Sequence, residues 1–124
     1  MSPVGIAALE GHKYINLETF RKEGRGVVAP VWFMIEGQNV VVVTRSDTGK
    51  VKRLKNNSAV RIMPSGFRGE PKGEWMGGKA RFATEEELKM ALKLRSKKYG
   101  FRASIASVFS SSRGSPVAIL ITLD

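Results

Sequence analysis

The chain has 124 residues, of which 42% are hydrophobic and 26% charged, and it carries a net charge of +10. This length and hydrophobic content predict one globular domain spanning residues 1–124. The absence of cysteine excludes disulfides, zinc–thiolate centres and catalytic thiols. No apolar run approaches the roughly 20 residues that a membrane-spanning helix needs, and the N-terminus lacks a signal-peptide pattern, so we expect a cytoplasmic protein.

The positive charge is concentrated in one part of the chain. Residues 44–102 contain sixteen basic and six acidic side chains, which is nearly all of the excess. A field of this size attracts polyanions, which include nucleic acid, an acidic membrane surface and a phosphorylated cofactor. Charge alone does not choose among these partners.

Most of the chain is predicted to form β-strands. Residues 14–21 alternate, with Ile15, Leu17 and Thr19 on one face, as in a half-buried strand. Further strands are predicted over 26–36, 40–44, 58–67, 74–83 and 116–123. Pro30 lies inside the second strand, which indicates an edge strand, a bulge, or a backbone that faces something other than a strand.

One long helix is predicted over residues 84–99. Thr84 and Glu87 have the spacing of a capping box, and Gly100 follows as the helix stop. A second, weaker helix is predicted over 101–112. About six strands joined by short turns, with helices added late, predict a mainly β fold, an antiparallel β-barrel with helical additions.

The chain has few groups that could perform acid–base or metal chemistry. His12 is the one histidine, and it is better interpreted as an ordinary surface or structural residue than as part of a catalytic triad. The consecutive residues Glu85–Glu87 point in different directions on a helix. Their carboxylates therefore stabilise the helix dipole and do not form a metal site. We therefore nominate no catalytic residue and no metal site. Such a chain is either not an enzyme or takes its chemistry from a cofactor.

The segment 44–57, TRSDTGKVKRLKNN, has the features of an anion site. It lacks the glycine and the Ser/Thr that a nucleotide-binding P-loop requires at positions 44 and 51. Asp47 or Thr48 could cap a helix that begins near Gly49, and a helix N-terminus binds anions readily. Lys50 adds a full positive charge at that end.

The same segment resembles the pyridoxamine phosphate oxidase-like, or flavin-reductase-like, split β-barrel proteins. Their pattern is a threonine, a Ser/Thr-Arg-Lys triplet, a leucine and then Asn-Pro. In this chain Thr44 matches the threonine, residues 48–50 fill the triplet, and Leu54 matches the leucine. Gly49 stands where the oxidases have a phosphate-binding arginine, and Ser58 replaces the proline.

Within that family the chain is most similar to small proteins thought to use the deazaflavin coenzyme F420. The shared motifs are VVAPVWF (27–33), TGKVKRL (48–54), GEW (73–75) and KKYG (97–100). The resemblance implies a six-stranded split barrel that forms a homodimer with the cofactor at the subunit interface. It names F420 as the cofactor, FMN as the alternative, and a small molecule as substrate.

The resemblance also implies which residues bind the cofactor. The backbone of Ala29, Pro30, Val31 and Trp32 would run beside the tricyclic ring, where a proline leaves no unpaired N–H. The phosphate would be held by Thr48 and Lys50, next to Gly49 and with Thr44 nearby, and Arg53 is either a further ligand or a solvated cation. The positive charge of the chain would suit the acidic oligoglutamate tail of a deazaflavin.

Three functions remain open from the sequence. The favoured one is an oxidoreductase that transfers hydride between F420, or FMN, and a small substrate. A relative of this kind could instead carry its cofactor without catalysis. A basic β-barrel could also bind single-stranded nucleic acid, with Phe67, Arg68 and Lys72 in the loop 68–73 region as contacts. Nucleic acid is less favoured, because positive charge is a generic signal whereas the ordered motifs are not.

Overall fold

The computed structural model describes residues 5–100 and 115–124. A 3-10 helix, Gly5–Leu9, precedes the first strand. The strands are β1 (Tyr14–Phe20), β2 (Gly26–Trp32), β3 (Met34–Glu36), β4 (Asn39–Arg45), β5 (Ala59–Ser65), β6 (Met76–Phe82) and β7 (Pro116–Leu123). The α-helices in this part of the chain are α1 (Gly49–Asn56), between β4 and β5, and α2 (Glu85–Tyr99), after β6.

The seven described strands form one antiparallel sheet in the order β2-β1-β5-β6-β7-β4-β3. β2 and β3 are therefore at opposite edges of the sheet, yet only Phe33 separates them in the chain. The sheet must curl until its two edges meet at this residue, which gives the split-barrel architecture. The predicted mainly β fold is confirmed, and the strand number is seven where six were expected because the stretch 26–36 breaks at Phe33.

Two apolar clusters hold the sheet in place. The inner cluster fills the curled sheet and contains Val40 and Val42 of β4, each fully buried. The outer cluster lies between the sheet and α2 and contains Val41 of β4 and Ala91 of α2. Since β4 is covered on both faces, its sequence is a continuous run of valines without the alternation of a half-exposed strand.

Several local expectations are confirmed and others are corrected. Pro30 lies in the edge strand β2, as its missing N–H requires. The second face of β1 is buried too, because Asn16 and Glu18 are only 4% and 8% exposed, so the expected half-exposed strand is wrong. The buried residues of α2 are Ala91 and Arg95. A buried arginine was not expected on the core-facing side of this helix. The weaker helix predicted over 101–112 lies outside the described residues.

Candidate functional site

The candidate site is built where β4 ends and α1 begins. Val51 and Leu54 are the buried residues of α1, as their spacing predicts, and Leu54 packs in the inner cluster. Thr48 occupies the N-cap position, but its side chain makes no cap hydrogen bond. Asp47 instead pairs with Arg45, its carboxylate oxygen lying 3.5 Å from the Arg45 Nε. Within the described part of the chain, α1 thus begins without a cap from its N-cap hydroxyl and without an acid in its first turn.

Two threonine hydroxyls line the approach to this helix end. The Thr48 hydroxyl donates to the Arg45 carbonyl oxygen at 3.0 Å, and the Thr44 hydroxyl lies 3.4 Å from the Thr48 hydroxyl. The two side chains are partly buried. Their oxygens are thus held beside the start of α1.

Arg53 reaches back over the first turn of α1. A Cβ atom added to Gly49 would lie 2.8 Å from the Arg53 Nη1, so only a glycine leaves room for the guanidinium there. The Arg53 Nε donates to the Thr19 hydroxyl at 2.6 Å, and Thr19 is fully buried. An arginine side chain is therefore present beside position 49 after all, contributed from one helical turn further along.

Lys50 and Arg53 are cations whose neighbours do not neutralise them. Burial, and then the positive charge of Arg53, lower the pKa of Lys50 from its ordinary value. Burial, and then the positive charge of Arg21, lower the pKa of Arg53. In the described residues neither cation has a carboxylate within 4.0 Å. Cations gathered in this way favour the binding of an external anion.

A basic cavity of about 260 Å³ adjoins Arg53 on the side of the β1–β2 turn. It is lined by Phe20, Arg21, Lys22, Glu23, Lys52, Arg53 and Asn56. Four of these side chains are cationic and one is acidic, so the positive field continues from the helix end into this cavity. Lys52, an exposed residue of α1, is one of its lining residues.

The four residues of β2 predicted to bind the cofactor, Ala29 to Trp32, belong to the sheet against which α1 packs. Thr19, which binds Arg53, pairs with Val27. At about 3.3 Å per residue, Ala29 lies ~7 Å and Trp32 ~17 Å along β2 from that pair. The Val31 side chain packs against the inner core, whereas Pro30 is exposed on the other face.

The far end of β2 is an aromatic cluster that the sequence did not reveal. The Trp32 and Tyr99 rings stack with centroids 4.2 Å apart and an interplanar angle of 6°. The Tyr99 hydroxyl lies 2.6 Å from the Lys13 carbonyl oxygen and 2.9 Å from that of Phe33, and it accepts from the Phe33 N–H at 3.1 Å. Burial raises the pKa of Tyr99 to about 12.

Sequence reasoning missed Thr19, Arg21 and Tyr99. Thr19 was placed on the correct face of β1, but a threonine among apolar residues gave no sign of an arginine partner. Arg21 was not considered, because its distance from α1 depends on the β1–β2 turn. Tyr99 could have been nominated, since it lies in the KKYG motif noted from the sequence.

The chain was compared with known proteins. The family model described as pyridoxamine 5'-phosphate oxidase matches residues 6–124. Curated proteins gave no significant match. The described helices include none that is long and apolar enough to cross a membrane.

Solved structures of similar fold include proteins with different ligands. HutZ, a heme storage protein from Vibrio cholerae, is 16% identical, with a TM-score of 0.73 over 93% of this chain and 84% of HutZ. An F420 reductase is 17% identical, with a TM-score of 0.63 over 100% of this chain and 96% of the reductase.

A pyridoxamine 5'-phosphate oxidase-related, FMN-binding protein from Nostoc punctiforme is 15% identical, with a TM-score of 0.59 over 90% of this chain and 70% of that protein. At these identities the likeness shows the fold alone. The family match over residues 6–124, together with the split-barrel fold, shows that this chain belongs to the pyridoxamine 5'-phosphate oxidase family.

Proposed function

We propose that the chain binds a phosphorylated flavin-type cofactor, with the phosphate at the N-terminus of α1. The observation that carries this proposal is the open helix end, where Arg53 folds over Gly49 and Lys50 lacks a carboxylate partner. The helix dipole and the two cations act together on an anionic phosphate. The Thr44 and Thr48 hydroxyls are close enough to that helix end to contribute.

The basic cavity favours F420 over FMN within this proposal. FMN needs one anion site, whereas the resemblance noted from the sequence implies that F420 carries further carboxylates in its oligoglutamate tail. Arg21, Lys22 and Lys52 line the cavity directly beyond Arg53. They offer charge to a second anionic part of the same molecule.

The tricyclic ring would lie along β2, and the chemistry would belong to it. Bound F420 or FMN supplies hydride transfer, and the protein contributes binding and orientation. Pro30 has no N–H, so a ring beside it leaves no backbone donor unpaired. We also propose a homodimer that completes the cofactor groove. It is supported by the exposed outer face of β2, on which Val28 remains 46% exposed.

A titration tests the cofactor assignment. Apoprotein is titrated with F420 and with FMN while ligand fluorescence is recorded, and we expect F420 to bind at micromolar concentration and more tightly than FMN. Arg21→Ala should weaken F420 more than FMN, because only the longer anion reaches that residue. Arg25→Ala, on the same turn and 3.7 Å from the Glu23 carboxylate, is the matched control. Failure of both ligands to bind would overturn the proposal.

A turnover assay separates an oxidoreductase from a carrier. Reduced cofactor is mixed with the protein in the presence of candidate acceptors, and oxidation faster than in protein-free solution indicates catalysis. Tight binding without acceleration for any acceptor would favour the carrier. A protein that binds neither cofactor but copurifies with oligonucleotide, released by salt, would favour the nucleic-acid alternative.

A further inference from the structure

A second cavity lies away from α1, at the junction of β2 and β3. Its volume is about 370 Å³, within the range of small-molecule sites. The lining residues are Leu9, Glu10, Gly11, His12, Lys13, Phe33, Ile35 and Lys98. Leu9, Phe33 and Ile35 form an apolar wall, and the charged side chains contribute more positive than negative groups.

The ammonium group of Lys98 is held in a fixed position at this cavity. Its Nζ donates to the Phe33 carbonyl oxygen at 2.8 Å and lies 3.5 Å from the centroid of the Phe33 ring. An ammonium has three N–H donors, so one bond to the carbonyl and one contact with the ring leave a third donor. Burial lowers the pKa of Lys98 to about 8.

The chain supplies no carboxylate to this lysine. All 11 Asp and Glu side chains of the sequence belong to the described residues, and none lies within 4.0 Å of the Lys98 Nζ. A counter-ion for Lys98 must therefore come from outside the chain. The neighbouring His12 and Lys13 add basic groups and Glu10 adds one acid.

We propose that this cavity binds a small amphipathic organic acid, with its carboxylate on the Lys98 Nζ and its apolar part against Leu9, Phe33 and Ile35. The apolar wall selects an acid with a hydrocarbon chain over a hydrated inorganic anion, because burying that chain is favourable. The site does not depend on the cofactor proposed for α1. It lies beside Phe33, directly after the last residue of β2, so such an acid would be held near the far end of that strand.

Hexanoate is the probe, and hexan-1-ol is its neutral counterpart. Isotope-labelled full-length protein is titrated with each, and amide chemical shifts locate the contacts. We expect hexanoate to bind about tenfold more tightly than hexan-1-ol, since only the carboxylate forms a charge-assisted hydrogen bond. The largest shifts should fall on Phe33, Ile35 and Lys98. Equal affinity, shifts elsewhere, or no binding at about 10 mM would overturn the proposal.

Lys98→Met and Lys97→Met test the role of the charge. Methionine keeps an apolar stem and removes the ammonium, so Lys98→Met should abolish the preference for hexanoate. Lys97 is the adjacent residue and does not line the cavity, and its replacement lowers the net charge equally. If both variants lose the preference to the same degree, the effect is diffuse electrostatics and the site is wrong. Thermal unfolding of each variant verifies that it is folded.

A pH titration of the unmodified protein gives an independent test. Hexanoate remains ionised between about pH 7 and pH 10, while Lys98 loses its charge as the pH rises through about 8. Affinity for hexanoate should therefore fall across this range. Glu10, His12, Lys13 and Tyr99 also face this region, and the raised pKa of Tyr99 keeps it neutral here. Lys98→Met controls for the others, and an unchanged wild-type affinity from pH 7 to 10 would contradict the assignment.

Discussion

The N-termini of the two α-helices are built in opposite ways. At α2 the Thr84 hydroxyl accepts from the Glu87 N–H at 3.2 Å, the Glu87 carboxylate accepts from the Thr84 N–H at 2.9 Å, and Glu85–Glu87 fill the first turn. At α1 the Thr48 hydroxyl makes no cap bond, no acid lies in the first turn, and Lys50 stands where the dipole disfavours a cation.

This difference separates a helix end that serves the fold from the helix end at which we propose a phosphate site. At the N-terminus of α2 the capping box uses backbone N–H donors, and the acids of the first turn repel an anion. The N-terminus of α1 lacks such a capping box, and the proposed phosphate site rests on that difference. Tertiary packing of Val51 and Leu54 keeps α1 folded despite the poor cap.

The largest expected effect is on cofactor binding by Lys50→Ala. Removing a charge-assisted bond to the phosphate should cost ~1.5–3 kcal/mol, which is roughly a ten- to hundredfold loss of affinity. The free energy of unfolding should hardly change, because alanine is the better helix former. Fluorescence titration with F420 measures the first quantity and denaturant unfolding the second.

Lys55→Ala is the control for that measurement. Lys55 is exposed, in the last turn of α1, and its removal changes the net charge by the same amount. It should reduce affinity much less than Lys50→Ala. Equal losses for the two variants would show that the helix end itself is not the phosphate site.

The next largest effect is on stability, and it compares the N-cap residues of α2 and α1. Thr84→Ala removes the capping hydroxyl of α2 and should lower the free energy of unfolding by about 1 kcal/mol. Thr48→Ala removes a hydroxyl that makes no cap bond, so it should cost less than half as much while weakening cofactor binding. Chemical denaturation and ligand titration of both variants give the contrast. A larger stability loss at Thr48 would refute the idea that α1 is left uncapped.

A smaller effect is expected from Gly49→Ala. The new Cβ atom would lie 2.8 Å from the Arg53 Nη1, so the guanidinium must move away from the helix end. We expect a loss of cofactor affinity of about threefold, since a charge-assisted bond is weakened but not removed. Stability should not fall, because alanine favours a helix over glycine. Unchanged affinity would mean that Arg53 takes no part in phosphate binding.

The smallest effect is the acid dependence of the α2 cap. The side-chain hydrogen bonds from Arg81, and then the Thr84 N–H, lower the pKa of Glu87 from 4.5 to about 2. A depressed carboxylate pKa contributes stability above the unfolded value, and this contribution is lost as the pH falls from about 4.5 toward 2. Glu87→Gln should flatten that part of the stability profile measured by thermal unfolding. Glu86→Gln, at the preceding position, should leave that pH dependence unchanged.

The predictable features were those that depend on neighbouring residues in the chain. Thr84, Glu87 and Gly100 fixed the ends of α2 from their spacing, and the structure confirms its capping box and its end. The TGK triplet predicted where α1 begins. The seventh strand and the burial of Asn16 and Glu18 were not predictable, because they depend on the break at Phe33 and on residues distant in the sequence. Glu18, for example, is covered by an ion pair with Arg61, from the neighbouring strand β5.

The sequence by itself determined the fold family, the position of helix α1 and the excess of positive charge, because each depends on short-range spacing or on composition. Only the tertiary structure decided which cations act together. Arg53 bonds to Thr19, 34 residues away, and Lys98 bonds to Phe33, 65 residues away. Such pairs form where the curled sheet brings distant strands and helices into contact, and no local pattern encodes a contact of that kind.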